Sequence, residues 1–170
     1  MPHAISVLVE NKAGVLTRVT NIFSRRGYNI DSVASGITQD PTVSRLTIIT
    51  SIEEEKVEQV LKLLYKIPDV ISAKYLQPST YISRQLFFVK VSATAATRAE
   101  IGQIVDVFRG HIVDISPETL TIEISGDDTK LEAFQRMLEP YGILELVRTG
   151  LIAVERGEQT LNIAYFDEDI

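Results

Sequence analysis

Residues 8–30 read LVENKAGVLTRVTNIFSRRGYNI, and this stretch decides the plan of the chain. Just before and within it, Ile5, Val7 and Val9 alternate with Ser6 and Glu10, a period of two that predicts a β-strand. Asn11, Lys12, Ala13 and Gly14 make a tight turn. Val15, Leu16, Val19, Ile22 and Phe23 then recur at helical spacing, so the next element is a helix with one apolar stripe against the sheet. Gly27 stands where helices commonly end on a left-handed residue. Tyr28-Asn29-Ile30 opens the next strand, expected over residues 28–37.

The start of a helix leaves N–H groups without intrahelical acceptors and carries the positive end of the dipole, which suits a carboxylate. Asn11 and Asn29 stand at the ends of neighbouring elements, each with an amide that both donates and accepts. That set suits a zwitterionic amino acid, carboxylate on the helix start and ammonium on an amide oxygen or carbonyl. The same residues also serve as an ordinary turn, cap and local bond. Spacing alone leaves both readings open.

Working outward, residues 38–42 form a loop and 43–50 a strand rich in β-branched side chains. Ser51-Ile52-Glu53-Glu54 matches a capping box ahead of Val57, Val60, Leu61 and Leu64 at i, i+3, i+4 and i+7. Pro68-Asp69 breaks that helix, and residues 70–76 close the order β-α-β-β-α-β. After a linker at 77–80 the plan repeats. Residues 86–91 are a strand, and Thr97-x-x-Glu100 is a second capping box before Ile101, Ile104, Val105 and Phe108. Gly110 ends that helix as Gly27 ends the first. Strands over 111–115 and 120–125 follow, Asp127, Asp128 and Thr129 are cap candidates for a helix carrying Leu131, Phe134 and Leu138, and one last strand spans 143–154, bent near Gly150.

The expected fold class is therefore α+β, two consecutive ferredoxin-like βαββαβ domains over residues 1–77 and 78–170, ending in a polar, acidic, loosely ordered tail from residue 156. The halves differ at the decisive turn. Where the first has Asn-x-x-Gly, the second reads Ser92-Ala93-Thr94-Ala95-Ala96-Thr97. The second half reads as a scaffold or association domain.

Composition narrows the function. The chain has 170 residues, no cysteine and a net charge of −6. Residues 1–77 carry 9 basic against 8 acidic side chains, and 78–170 carry 8 against 15. No basic stripe is present for a phosphate backbone, so no nucleic-acid partner is expected. No apolar run reaches membrane-span length and no signal core follows the N-terminus, which predicts a cytoplasmic protein away from membranes. The absence of cysteine excludes disulfides, thiol catalysis and Cys-based metal sites, and it fits a reducing compartment. His3 and His111 lack any motif, and no P-loop, G-x-G-x-x-G, H-E-x-x-H or G-x-S-x-G occurs. No catalytic residue and no metal site is expected.

The run Asn11-x-x-Gly14-x-Leu16-x-Arg18 with Arg26-Gly27-Tyr28-Asn29-Ile30 resembles the opening of the small regulatory subunit of acetohydroxyacid synthase (acetolactate synthase), an ACT domain. Pro41-Thr42-x-Ser44-Arg45-Leu46-Thr47-Ile48 and Phe108-Arg109-Gly110-x-Ile112-x-Asp114 are similar to the same family, so the likeness covers nearly the whole chain. The resemblance implies a non-catalytic subunit in branched-chain amino acid biosynthesis (valine, isoleucine, leucine). It implies binding to the catalytic large subunit, to which thiamine diphosphate, flavin and magnesium belong, leaving no cofactor in this chain. It further implies activation of that subunit, feedback inhibition by valine, and a homodimer with the effector at its interface. On that reading Gly14, Val15 and Leu16 hold the carboxylate through backbone N–H groups, Asn11 and Asn29 fix the polar end, and Val15, Leu16 and Ile30 shape the wall. A free-standing ACT-type sensor acting on a different enzyme or regulator is the alternative.

Overall fold

The computed structural model describes residues 1–161. In chain order the elements are β1 (His3–Glu10), α1 (Val15–Arg25), β2 (Ser32–Ile37), β3 (Val43–Thr50), α2 (Glu54–Leu64), β4 (Val70–Leu76), β5 (Tyr81–Ser92), α3 (Arg98–Val107), β6 (His111–Ile115), β7 (Thr119–Gly126), α4 (Asp128–Leu138), a 3-10 turn (Glu139–Tyr141), β8 (Ile143–Arg148) and β9 (Ile152–Glu155). The chain divides into two compact units, Met1–Ile82 with the segment from Gly150 onward, and Ser83–Thr149.

In the first unit the sheet runs β2-β3-β1-β4, antiparallel throughout. The alternation in β1 sends Ile5, Val7 and Val9 to the face that also receives Leu46 and Ile48 of β3. Val15, Val19 and Phe23 of α1 and Val57, Val60 and Leu64 of α2 close that core. Each such large side chain contributes roughly 1.5–3 kcal/mol on burial. α1 ends as the sequence predicts: Gly27 has φ 68°, the Tyr28 N–H returns to the Phe23 carbonyl (2.9 Å) and the Gly27 N–H to Ser24 (3.1 Å).

The opposite face of this sheet is covered as well. Gly150 runs against the backbone of Val33 and Ala34, Ala153 of β9 is buried with Ala4 and Leu76, Arg45 Nη2 donates to the Ala153 carbonyl (3.0 Å), and Lys74 is paired with Glu155. This corrects the single strand expected over 143–154. β8 stops at Arg148, Thr149 ties its N–H and hydroxyl to Leu86, and β9 starts a separate ladder with β5. Residues 162–170 of the expected tail lie outside the described residues.

The second unit repeats the wiring, β6-β7-β5-β8. Phe87, Val89 and Val91 of β5 and Leu120, Ile122 and Ile124 of β7 pack under Ile101, Val105, Leu131, Phe134 and Leu138. Phe108 meets Phe134 edge to face, centroids 5.3 Å apart.

Three local expectations fail. β2 starts at Ser32 and not at residue 28, because Asn29 and Asp31 turn the chain: the Asn29 carbonyl accepts from the Thr50 hydroxyl (2.6 Å) and the Asp31 N–H donates to Ile49 (2.8 Å). Neither capping box closes. Ser51 gives its hydroxyl to Asp31 and Glu53 is the N-cap of α2, while the Thr97 hydroxyl accepts from Thr94 N–H and Glu100 accepts from Tyr141. Arg109 takes the left-handed position after α3 (φ 57°), one residue before Gly110, where a Cβ would stand 3.2 Å from the Glu123 carbonyl oxygen. Asp127 does cap α4, accepting from the Lys130 N–H at 2.9 Å.

Candidate functional site

The β1–α1 turn is a rigid, open helix start. The Asn11 N–H donates to the Thr42 carbonyl (2.7 Å) and its side-chain amide to the Pro41 carbonyl (3.0 Å), which fixes the turn to the β2–β3 loop. Gly14 is the N-cap of α1 at φ 83°, a conformation that glycine adopts without a Cβ penalty. Val15 N–H reaches only the Lys12 carbonyl, at 3.5 Å, and the N–H groups of Leu16 and Thr17 have no acceptor among the described residues. No acidic side chain sits in the first turn of α1 to satisfy them. Open donors at the positive end of a helix dipole are the arrangement that suits an anion.

Arg18 adds a cation beside this turn. Its Nε and Nη2 both hold Asp69, at 2.9 and 2.7 Å, and Nη1 lies 3.1 Å from where a Cβ on Gly14 would stand. Asp69 lies between α2 and β4, so two stretches 51 residues apart set the position of the guanidinium. The only sequence signal was Arg18 in the spacing Asn11-x-x-Gly14-x-Leu16-x-Arg18.

The other expected residues divide sharply. Leu16 is 44% exposed beside the turn, whereas Val15 is 2% exposed and buried in the core, so Val15 offers its backbone and no pocket wall. Ile30 packs partly against the same core. Asn29 donates to Asp31 Oδ1 at 2.8 Å. Register places the two asparagines far apart. Glu10, next to Asn11, pairs with Val43, while Thr50, which binds the Asn29 carbonyl, pairs with His3. The seven-residue rise along β3 separates these ends by about 23 Å. One chain does not bring Asn11 and Asn29 together.

In the second unit the helix starts differently: Thr97 and not a glycine is the N-cap of α3, and an acidic side chain, Glu100, stands in its first turn. The Ala93 N–H is bound to the Glu118 carbonyl and the Thr94 N–H to the Thr97 hydroxyl. His3 is held by the Tyr75 hydroxyl at 3.0 Å, and His111 lies exposed on β6. Among the described residues no group of three His, Cys, Asp or Glu side chains could hold a metal ion, and no helix is long and apolar enough to cross a membrane.

Comparison with known proteins agrees with this architecture. Residues 5–72 match the family described as the AHAS small subunit-like ACT domain, and residues 84–157 match the family described as the small subunit of acetolactate synthase. The fold and the glycine-capped turn thus define a regulatory protein of the ACT class. The acetolactate synthase small subunit of Mycolicibacterium smegmatis is 46% identical over 162 residues, 95% of each chain. That of Haemophilus influenzae is 42% identical over 95% of this chain and 99% of its own. The crystal structure of the small subunit from Thermotoga maritima superposes with a TM-score of 0.87 at 37% identity, covering 94% of this chain and 99% of the other. The chain belongs to the acetolactate synthase small-subunit family. As a member it is a non-catalytic regulatory subunit in branched-chain amino acid biosynthesis that associates with the large catalytic subunit, and the family itself implies no cofactor in this chain.

Proposed function

We propose that this subunit activates the catalytic large subunit in the cytoplasm and makes it sensitive to valine, which binds where two copies of the chain meet. The carboxylate rests on the N–H groups of Gly14, Val15 and Leu16, beside Arg18. Asn11 of the same chain and Asn29 of the second copy fix the polar end, and Leu16 with the second copy's Ile30 flanks the side chain.

The observation that carries this reading is the separation of Asn11 and Asn29 to opposite ends of one β-ladder. β2 is an edge strand whose outer half is exposed. Antiparallel pairing of two β2 edges would complete both ladders and shield a liability of open sheets. It would set the start of one β2, next to Asn29, beside the end of the other, next to the loop that holds Asn11. Two equivalent sites follow from the two-fold symmetry.

Gly14→Asp tests it. The substitution strains the left-handed N-cap and places a carboxylate at the anion site. Assayed with the large subunit, the variant should keep activation and lose inhibition by valine. Full valine sensitivity in that variant would remove the turn from the mechanism.

A further inference from the structure

The face of the first sheet opposite α1 and α2 carries a second concavity. A cavity of 310 Å³ opens between β1, β3, the β2–β3 loop and the chain after β9, with Leu8, Val43 and Val154 as apolar walls and Arg45, Asp40 and Glu155 as charged ones. That volume is at the small end of ligand pockets, which begin at roughly 300 Å³.

The three charges are not equivalent. Glu155 is already closed by Lys74, at 2.9 and 3.0 Å to its two oxygens. Arg45 is half-buried and spends one nitrogen, Nη2, on the Ala153 carbonyl; its other donors have no partner among the described residues. Burial lowers its pKa, with Glu155 acting in the opposite direction. Asp40 is held by the Thr42 N–H (2.9 Å) and hydroxyl (2.7 Å), both on Oδ1, and these bonds keep its carboxyl below the usual range. Its Oδ2 has no partner among the described residues. The cavity therefore presents one under-used cation and one under-used anion over an aliphatic floor. A net anion would meet Asp40 and a net cation Arg45, whereas a zwitterion satisfies both.

We propose that this cavity binds a free aliphatic α-amino acid within a single chain, its carboxylate on Arg45, its ammonium on Asp40 and its side chain on Leu8, Val43 and Val154, independently of the Gly14 turn. This gives a role to the Arg45 of the Pro41-Thr42-x-Ser44-Arg45 block, which the interface reading leaves unused. The loop that supplies Asp40 also holds Asn11 through the Pro41 and Thr42 carbonyls.

The test is calorimetric titration of the full chain with L-valine, isovalerate (no amine) and isobutylamine (no carboxylate). In a Gly14→Asp chain one class of valine site per chain should persist, with both analogues at least about tenfold weaker. Adding Asp40→Asn, whose amide oxygen can still accept from Thr42, should weaken that residual binding by about tenfold. Arg45→Met should do the same, with melting curves checking that β9 remains docked. No residual valine binding in Gly14→Asp, equal binding of isovalerate, or indifference to both Asp40→Asn and Arg45→Met overturns the proposal. Valine binding untouched by Gly14→Asp but lost in Asp40→Asn and Arg45→Met would leave the cavity standing and remove the interface reading instead.

Discussion

Arg18 grips Asp69 through two nitrogens, at 2.7 and 2.9 Å, while its third lies against Gly14, 3.1 Å from where a side chain would begin. One ion pair therefore does two things. It joins α1 to the α2–β4 connection, and it parks a positive charge over the open start of a helix.

Arg18→Met separates these roles. Asp69, whose side chain is only 15% exposed, loses its partner, and stability should fall by about 1–2 kcal/mol. Valine affinity should fall by roughly fivefold at low salt and by less at high salt, since the lost term is an exposed charge interaction of about 1 kcal/mol. Thermal melts and titrations at two ionic strengths measure both. An affinity that does not change at low salt would mean the guanidinium is not a neighbour of the carboxylate.

Asn29→Ala removes an amide that one chain spends only on Asp31. If a second copy's ligand is its true partner, affinity should drop by one to two decades, from a loss of roughly 1.5–3 kcal/mol. Discrimination between valine and leucine should barely move, because it rests on pocket volume. Affinity should also fall on dilution into monomer. Titrations at several protein concentrations check this, and concentration-independent binding would confine the site to one chain.

Arg109→Gly should stabilise the second unit. Arg109 holds φ 57°, where a side chain costs about 1–2 kcal/mol and glycine recovers all but about 0.5–1 kcal/mol of it through its own entropy loss. The expected gain is up to about 1 kcal/mol, read as a higher urea midpoint with an unchanged slope. A lower midpoint would show that the Arg109 side chain contributes more than its backbone costs.

Gly150→Ala should do the opposite to the first unit. A Cβ there would lie 2.6 Å from the Val33 carbonyl oxygen and 2.9 Å from the Ala34 nitrogen, backbone atoms that have little room to give. A loss of about 1–3 kcal/mol is expected, with faster hydrogen exchange at Ile152–Glu155 than at β1. Uniformly unchanged exchange would show that the segment docks without that close approach.

The amino-acid sequence by itself determined the two βαββαβ units, because each element declares itself locally. Period two in Ile5-Val7-Val9 and 3.6 in Val15-Val19-Phe23 follow from backbone geometry that needs no distant partner. Gly27 and Asp127 acted as their local chemistry predicts, and the Asn-x-x-Gly turn was legible as a helix start. What only the tertiary structure decided were contacts between residues remote in sequence. Ser51 left its capping box for Asp31, 20 positions earlier, a partner that a spacing rule does not weigh. β9 packs on the first sheet because Gly150, Ala153 and Glu155 each fit something there, namely the Val33 backbone, the Ala4–Leu76 cluster and Lys74. The same holds for Asn11 and Asn29, 18 positions apart in the chain yet at opposite ends of β3, because strand register and not sequence distance sets where they stand.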